Sequence, residues 1–319
     1  MEKLRLFFAT DVHGSDACWL KLTNVWKYYK TNTIILGGDL TGKELVPIVE
    51  HNDKTYRAEV DGILRTAKLG EELEKLEKVI RNHGLYPYRT SETGFQELKS
   101  DPSKRTEIFL RLMKERLEQW VNIANERFKS SDAKIYLTGG NDDEKEIIDH
   151  IMKIQSEKVI DTDSQVVQIG DYEMASSGYS NMTPWKCPRD VTEEELSSKI
   201  TELTSRIKNM EKAIFNFHCP PSKTGLDNAP LLDENLRPKI GPSGGPIIVP
   251  VGSSAVRDAI EKHQPLLGLH GHIHESRGHC KINRTLCLNP GSEYDVGILR
   301  GVIVELEDNK VKSFNYTST

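Results

Sequence analysis

Short apolar runs alternate with longer stretches of helical periodicity along most of the chain. Apolar runs bounded by glycine or polar residues predict buried strands, and the amphipathic stretches between them predict helices. The predicted strands are 4–9, 33–37, 134–138, 166–170, 213–217, 246–250, 265–269 and 285–289, with a late pair at 298–306 and 310–316. The predicted helices are 16–30, 143–155, 192–212 and 253–263. This alternation is typical of an α/β architecture.

Local signals sharpen three of these boundaries. The segment Glu307-Asp-Asn309 predicts a hairpin turn between the last two strands. Thr192 and Glu195 have the spacing of a capping box, so a helix is expected to begin there. The proline- and glycine-rich segment 220–250 predicts a long surface loop, because strand and helix patterns resume directly after it.

The segment 43–132 breaks the alternation, since it is rich in helical periodicity with Glu and Lys faces. We expect one domain over 1–319 that contains 43–132 as a helical insertion beside the α/β core. Solvated helix faces are the simplest interpretation of its charges. Binding of a protein partner through these helices is the alternative.

Composition narrows the class of protein. The 319 residues carry 43 Lys and Arg against 48 Asp and Glu, a net charge of −5, which gives no strong signal for nucleic-acid binding. No apolar run reaches the roughly 18–20 residues that a membrane helix needs. The five cysteines are odd in number and include no CxxC pair. We therefore expect a cytoplasmic protein without a disulfide framework.

Polar residues of the types that bind metal ions follow five of the predicted strands. They are Asp11 and His13, Asp39, Asn141 with Asp142 and Asp143, His218, and His272 with His274. In open α/β sheets, ligands bind outside the carboxyl ends of the strands, so these residues are expected to converge on one pocket. Each element alone is common in turns and loops. Their repetition at five strand ends favours a metal site.

The residue types suit a pair of divalent ions. Carboxylate, amide and imidazole groups together accommodate manganese, iron or zinc. Asp39 could bridge two ions about 3.5–4 Å apart, the spacing of two-metal hydrolytic sites. Such ions lower the pKa of a bridging water, so the predicted chemistry is hydrolysis by a metal-activated hydroxide.

These motifs resemble those of the calcineurin-like metallophosphoesterase superfamily. The signature D-x-H, G-D, G-N-H-D/E, a lone His and G-H-x-H corresponds here to Asp11-Val-His13, Gly38-Asp39, Gly140-Asn-Asp-Asp143, His218 and Gly271-His-Ile-His274. The resemblance covers about 1–42 and 133–306. The stretches GYSNMTPW, NFHCPP and LNPGS are most similar to a group of small prokaryotic phosphoesterases.

The resemblance implies a four-layer α/β/β/α fold, in which a double β-sheet sandwich is flanked by helices. It also implies two sets of ligands, with Asp39 shared between them. The first set is Asp11, His13 and His274, and the second is Asn141, His218 and His272. Manganese is the preferred cofactor, with iron, zinc, nickel and cobalt as alternatives. His270 precedes the turn at Gly271 and is interpreted as structural or as a support for the ligands.

The chain departs from the family at Asp142, where a histidine thought to assist the leaving group is usual. Asn141 and Asp142 are therefore the candidate catalytic residues. An aspartate is a poor proton donor at neutral pH unless burial or a neighbouring carboxylate, such as Asp143, raises its pKa. A phosphodiester with a stable leaving group, or a nucleotide, is thus favoured as substrate over monoesters of simple alcohols.

Other residues are weaker candidates for contact with a small phosphate-ester or nucleotide substrate. Arg277, Arg257 and Lys223 are the nearest basic residues to the motifs, and Tyr179 or Trp185 could stack a base. Each could equally be a surface or packing residue. Three functions stay open: a phosphodiesterase, a nucleotidase or pyrophosphohydrolase on the same metals, and a weakly metal-binding scaffold for a protein partner.

Overall fold

The computed structural model describes residues 3–154 and 156–319, so Gln155, the last residue of the predicted helix 143–155, lies outside the described residues. The strands of the described ranges are β1 (Lys3–Ala9), β2 (Thr33–Gly37), β3 (Leu45–Glu50), β4 (Thr55–Val60), β5 (Ile63–Lys68), β6 (Tyr86–Ser91), β7 (Lys134–Thr138), β8 (Val159–Asp161), β9 (Val166–Ile169), β10 (Tyr172–Ser177), β11 (Ser180–Asn181), β12 (Asp190–Val191), β13 (Ala213–Phe217), β14 (Asn228–Pro230), β15 (Ile248–Pro250), β16 (Leu267–Leu269), β17 (Gly278–Ile282), β18 (Thr285–Asn289), β19 (Arg300–Glu307) and β20 (Lys310–Ser318). The helices are α1 (Asp16–Leu22), α2 (Val25–Tyr29), α3 (Glu71–Asn82), α4 (Glu92–Ser100), α5 (Pro102–Phe128), α6 (Lys145–Ile151), α7 (Glu193–Thr204) and α8 (Ser254–His263).

Two six-stranded sheets form the centre of the molecule. The first has the order β20-β19-β1-β2-β7-β8, and its strands β1, β2, β7 and β8 are parallel. The second has the order β17-β18-β16-β13-β10-β9, with β10, β13, β16 and β18 parallel. Parallel strands place their carboxyl ends at one edge of each sheet, which is the edge that carries the candidate ligands.

The alternation of side chains along β1 shows how the layers form. Leu6 and Phe8 pack between the two sheets, whereas Phe7 and Ala9 pack against helices on the outer face of the first sheet. Helices α7 and α8 cover the outer face of the second sheet. The predicted four-layer α/β/β/α sandwich is confirmed.

The segment 43–132 is not purely helical, and this expectation was wrong. Strands β3 to β6 form a separate four-stranded sheet with the order β5-β4-β3-β6. The period-two signal was present, because Tyr56, Ala58 and Val60 are buried while Arg57 and Glu59 between them are not. The charged residues and the strong helical periodicity of the adjacent stretches obscured it. Binding of a protein partner by this segment stays a prediction.

Helix α5 belongs to the central core although it lies within 43–132. Trp120 stacks on Trp19 of α1 with ring centroids 4.8 Å apart, and Trp19 Nε1 donates to the carbonyl of Trp120 at 2.9 Å. Arg116 donates from Nη1 to the carbonyl of Gly14 at 2.6 Å, next to His13. The segment therefore holds a loop of the candidate site. No helix of the described residues, the 27-residue α5 included, is long and apolar enough to cross a membrane.

Two of the local predictions are confirmed. Asp308 and Asn309 both have positive φ between β19 and β20, as a two-residue hairpin turn requires. Thr192 and Glu195 form the reciprocal hydrogen bonds of a capping box at the start of α7. The segment 220–250 contains the short hairpin of β14 and β15, of which β15 lies in the predicted strand 246–250 and β14 was not predicted.

Candidate metal centre

The loops after β1, β2, β13 and β16 bring six acidic and histidine side chains together between the two sheets. Their potential ligand atoms form two groups, and within each group all atoms lie within 4.8 Å of one another. The first group is Asp11, His13, Asp39 and His274, and the second is Asp39, His218 and His272. Asp39 belongs to both groups, which is the geometry of a bridging carboxylate.

Nitrogen and oxygen atoms of the first group converge on one point. The Nε2 atoms of His13 and His274 are 3.2 Å apart. His274 Nε2 is also 3.3 Å from Asp11 Oδ1, and His13 Nε2 is 3.5 Å from Asp39 Oδ2. Two imidazole lone pairs and two carboxylates that face the same point are a suitable set of ligands for a divalent cation.

Two buried polar atoms at or beside the second group have no hydrogen-bond partner among the described residues, and both belong to predicted ligands. They are Oδ1 of Asn141 and Nε2 of His218. His218 Nε2 lies 3.4 Å from Asp39 Oδ2. A buried polar atom without a partner costs free energy, so a cation that accepted both lone pairs would remove this cost. The residues present therefore fit the two divalent ions that the resemblance implies.

Hydrogen bonds on the far side of the rings orient three of the histidines. His13 donates from Nδ1 to the carbonyl of Thr41 at 3.3 Å, and His218 donates from Nδ1 to the carbonyl of Gly37 at 3.0 Å. Because each Nδ1 carries a proton, each Nε2 presents a lone pair to the centre. His272 is turned the other way, since its Nε2 contacts Ser180 Oγ at 3.2 Å and Nδ1 remains free to bind.

Burial and the charges of the centre shift several pKa values. Burial would raise the pKa of Asp11, but the charges of His218 and His274 hold it below its usual value. Burial would lower the pKa of His218, but Asp39 and then Asp11 raise it to about 9. Burial lowers the pKa of His13 to about 4, despite the nearby carboxylate of Asp39. The carboxylates thus draw one proton onto His218, at the place that a cation would take.

The backbone of the centre is held in an unusual conformation. Four predicted ligands have positive φ: Asp11 at 53°, His13 at 39°, Asp39 at 46° and His272 at 68°. Residues in this region are strained and cluster at functional sites. Gly140 allows two loops to meet, because a Cβ atom there would lie 1.9 Å from Asp39 Oδ1.

Asp143 joins the loop that carries Asp39 to the loop that carries Asn141. Its buried carboxylate accepts hydrogen bonds from the backbone N–H groups of Leu40, Thr41 and Gly140 at 2.8–2.9 Å, and from Thr41 Oγ1 at 2.6 Å. These bonds turn Asp143 towards the backbone. Its role here is to fix the two loops, rather than to serve as the neighbour that the sequence suggested for Asp142.

Asp142 lies at the solvent side of the centre. Its Oδ2 atom is 2.6 Å from Lys43 Nζ and 4.0 Å from His13 Nδ1. Lys43 has no part in the predictions from sequence, although it follows Asp39 by only four residues.

Three more supporting residues were not predicted, and two of them, Asp190 and Tyr294, lie outside the stretches that carry the resemblance. Asp190 accepts from Asn141 Nδ2 at 2.9 Å. Asn289 donates to the carbonyl of Ile273 at 3.0 Å, which holds the loop between His272 and His274. The ring of Tyr294 lies 4.5 Å from that of His13. Asn289 lies in LNPGS, a stretch that resembled the family, and could have been found from it.

His270 lies outside both groups. It donates from Nδ1 to the carbonyl of Phe217 at 2.8 Å, directly before His218. This bond ties β16 to β13, in agreement with the structural role expected for it.

The four residues predicted to contact a substrate interact with residues outside the metal centre. Arg257 donates to the carbonyl of Ser222 and to Glu261. Arg277 lies over the ring of Tyr316, and both Arg189 and Lys199 lie over the ring of Tyr179. The backbone N–H of Lys223 donates to Asp227. Contact of Arg277, Arg257, Lys223 and Tyr179 with a substrate stays a prediction.

Comparison with known proteins yields one relative in sequence and several in fold. No protein-family model matches the chain. The uncharacterized protein MJ1162 of Methanocaldococcus jannaschii is 31% identical over 172 residues, which cover 53% of this chain and 69% of that protein. The structure of TT1561 of Thermus thermophilus matches with a TM-score of 0.55 at 13% identity, over 98% of this chain and 99% of that chain. Purple acid phosphatase PPD1 of yellow lupin matches with a TM-score of 0.39 at 8% identity, over 99% of this chain and 53% of that chain.

These likenesses differ in what they show. At 13% identity the Thermus structure shows a shared fold alone. The match to MJ1162, at 31% identity over 69% of that protein, shows a common family. The chain belongs to the same family as MJ1162, and its double-sheet fold, with the signature residues gathered at the edge of the parallel strands, agrees with the resemblance to the calcineurin-like metallophosphoesterase superfamily.

Proposed function

We propose that this protein is a phosphoesterase that depends on two divalent metal ions and hydrolyses phosphodiesters. The observation that carries the proposal is the pair of ligand groups that share Asp39, together with the unpartnered lone pairs of Asn141 and His218. Asp11, His13, Asp39 and His274 would hold one ion. Asp39, Asn141, His218 and His272 would hold the other.

Two bound ions would supply the positive charge that holds a phosphate and activates water for hydrolysis. Manganese is the proposed metal, because the centre mixes carboxylate, amide and imidazole ligands and contains no thiolate among them. Iron, zinc, nickel and cobalt suit the same set. All five cysteines are free, which agrees with a reducing compartment and supports a cytoplasmic location.

The surroundings of Asp142 favour a substrate with a stable leaving group. The carboxylate is paired with the ammonium group of Lys43 at 2.6 Å, and an ionised carboxylate accepts hydrogen bonds but has no proton to give. Since the chain lacks the family's histidine at this position, a departing oxygen would leave as an anion. Phosphodiesters with such leaving groups are therefore the proposed substrate class.

The experiment is a hydrolysis assay of chelator-treated protein to which manganese, cobalt or nickel is added in turn. Two phosphodiesters that differ only in the leaving group, p-nitrophenol or a simple alcohol, are compared with phosphomonoesters and nucleotides. We expect metal-dependent hydrolysis of the p-nitrophenyl diester and slower hydrolysis of the alkyl diester. General acid catalysis contributes roughly 10²–10⁴ in rate, so the difference should be measurable.

Other outcomes would assign other functions. Preference for nucleoside monophosphates or for pyrophosphate bonds would support a nucleotidase or pyrophosphohydrolase. Absence of hydrolysis with every metal, in protein that binds little metal, would support a scaffold and overturn the proposal. The variant Asp142→His provides a further check, since it should accelerate hydrolysis of the alkyl diester and change the p-nitrophenyl rate little.

A further inference from the structure

A lysine and an aspartate form an ion pair at the solvent side of the candidate metal centre. Lys43 Nζ is 2.6 Å from Asp142 Oδ2. The side chain of Lys43 is 53% exposed and that of Asp142 is 16% exposed, so the ammonium group lies outward of the carboxylate. An anion that approached the centre from solvent would meet Lys43 beside the carboxylate of Asp142.

The backbone that carries Lys43 is fixed on both sides. Asp143 binds the N–H groups of Leu40 and Thr41, and Tyr86 Oη accepts from the N–H of Gly42 at 3.3 Å. Gly42 also packs closely on the next loop, because a Cβ atom there would lie 1.7 Å from the carbonyl oxygen of Gly84. The base of the Lys43 side chain is therefore held in place, while its end reaches Asp142 beside the centre.

Electrostatics keep Lys43 charged. Burial lowers the pKa of Lys43, but Asp142 and then Asp39 outweigh burial and raise the pKa above its usual value. An ammonium group has three donors, and the bond to Asp142 uses one of them. The remaining donors are free to bind a second acceptor.

We propose that Lys43 is a substrate-binding residue that donates hydrogen bonds to an anionic oxygen of the phosphate group in this centre. The inference rests on the proposed function, since it places a phosphate ester at the metal ions. Asp142 holds the ammonium group near the centre in the absence of substrate. Without Lys43, the carboxylate of Asp142 would repel the phosphate at short range. The pair thus places an ammonium group beside the position where the family has a histidine.

The test is binding of inorganic phosphate to metal-loaded protein, measured by titration calorimetry, for wild type and Lys43→Met. Hydrogen bonds to charged groups support an expected loss of affinity of roughly ten- to a hundredfold. Lys43→Arg should retain most of the affinity, because the positive charge remains. Lys145→Met is the matched control, since Lys145 also pairs with an aspartate, Asp149 at 3.4 Å, but is 88% exposed on α6.

Metal content is measured on the same samples. Unchanged metal content with weaker phosphate binding in Lys43→Met alone would support the proposal. Equal phosphate affinity in Lys43→Met and Lys145→Met, no phosphate binding by metal-loaded wild type, or loss of metal in Lys43→Met would each overturn it. The proposed function would stand in all these cases if wild type hydrolyses the p-nitrophenyl diester, so the two failures are distinguishable.

Discussion

The carboxylate of Asp190 accepts a hydrogen bond at 2.9 Å from Nδ2 of Asn141, and this contact decides which end of the Asn141 amide faces the candidate metal centre. Because Nδ2 is bound by Asp190, Oδ1 points to the centre and has no other partner. Residues that orient a metal ligand in this way affect metal affinity although they do not touch the ion.

We predict that Asp190→Ala lowers affinity for the ion of the second group by roughly 10–100-fold, since the amide of Asn141 is free to rotate. Metal content per chain, measured after dialysis against low metal, should fall from two ions towards one. Thr183→Val is the control, because Thr183 Oγ1 bonds the other carboxylate oxygen of Asp190 and does not touch Asn141. Equal metal loss in both variants would show that Asp190 acts through its loop and not through the amide.

The pKa of His218 predicts how the stability of metal-free protein depends on pH. A pKa raised from 6.5 to about 9 means that folding favours the protonated imidazole. The protonated imidazole contributes about 3 kcal/mol to the free energy of unfolding. This contribution is fully present below pH 6.5 and is lost as pH rises through 9. The melting temperature of chelator-treated protein should therefore fall between pH 6.5 and 9.

The matched variant for this prediction is His218→Gln, which removes the titrating group and should flatten the pH dependence in that interval. Protein loaded with metal should also show a flatter profile, because the ion replaces the proton on His218. A melting temperature of chelator-treated wild type that is constant or rises from pH 6.5 to 9 would contradict the raised pKa.

Gly140→Ala should disrupt the centre without a change of charge. The added methyl carbon would lie 1.9 Å from Asp39 Oδ1, so either Asp39 or the loop of Asn141 must move. We expect loss of most bound metal and of phosphoesterase activity. Gly245→Ala is the comparison, because a Cβ atom there has no neighbour within 4 Å. Normal metal content in Gly140→Ala would mean that the two loops are less tightly fixed than the structure indicates.

Trp120→Ala tests whether α5 belongs to the core. The ring is fully buried, stacks on Trp19 and donates from Nε1 to Asp16 Oδ1 at 2.6 Å. Its removal should lower the free energy of unfolding by roughly 3–5 kcal/mol. Trp185→Ala, at a site that is 61% exposed, should change it by about 0.5 kcal/mol or less. Denaturant unfolding of both variants measures the difference, and equal values would remove α5 from the core.

Much of the fold could be predicted because its strands are either fully buried or strictly alternating. The segments 33–37, 134–138, 213–217 and 285–289 are strands at the predicted boundaries. The sheet of β3 to β6 was missed because charged residues interrupt its strands and strongly periodic, charged helices lie beside them in the sequence. The edge strand β5 leaves Ile63 and Leu64 exposed, so the alternation of apolar and polar residues does not indicate a buried face of this strand.

The gathering of the acidic and histidine side chains could be predicted from one rule, that parallel strands end at a common edge. The supporting contacts could not, because they depend on which loops meet in space. Asp190 and Asn141 are 49 residues apart, and Lys43 meets Asp142 across 99 positions of chain. Asp143 is a further example. Its carboxylate binds backbone N–H groups of the two loops, whereas that of its sequence neighbour Asp142 contacts Lys43.

We propose that this chain binds two divalent ions between its sheets and that Asp39 is shared by both. The most direct measurement is the number of manganese ions bound per chain by chelator-treated protein, titrated for wild type and for Asp39→Asn. We predict two manganese ions for wild type. For Asp39→Asn we predict weaker manganese binding and loss of hydrolysis, because a neutral amide bridges two cations poorly. Wild-type protein that binds no manganese, or Asp39→Asn protein with unchanged stoichiometry, affinity and activity, would contradict it.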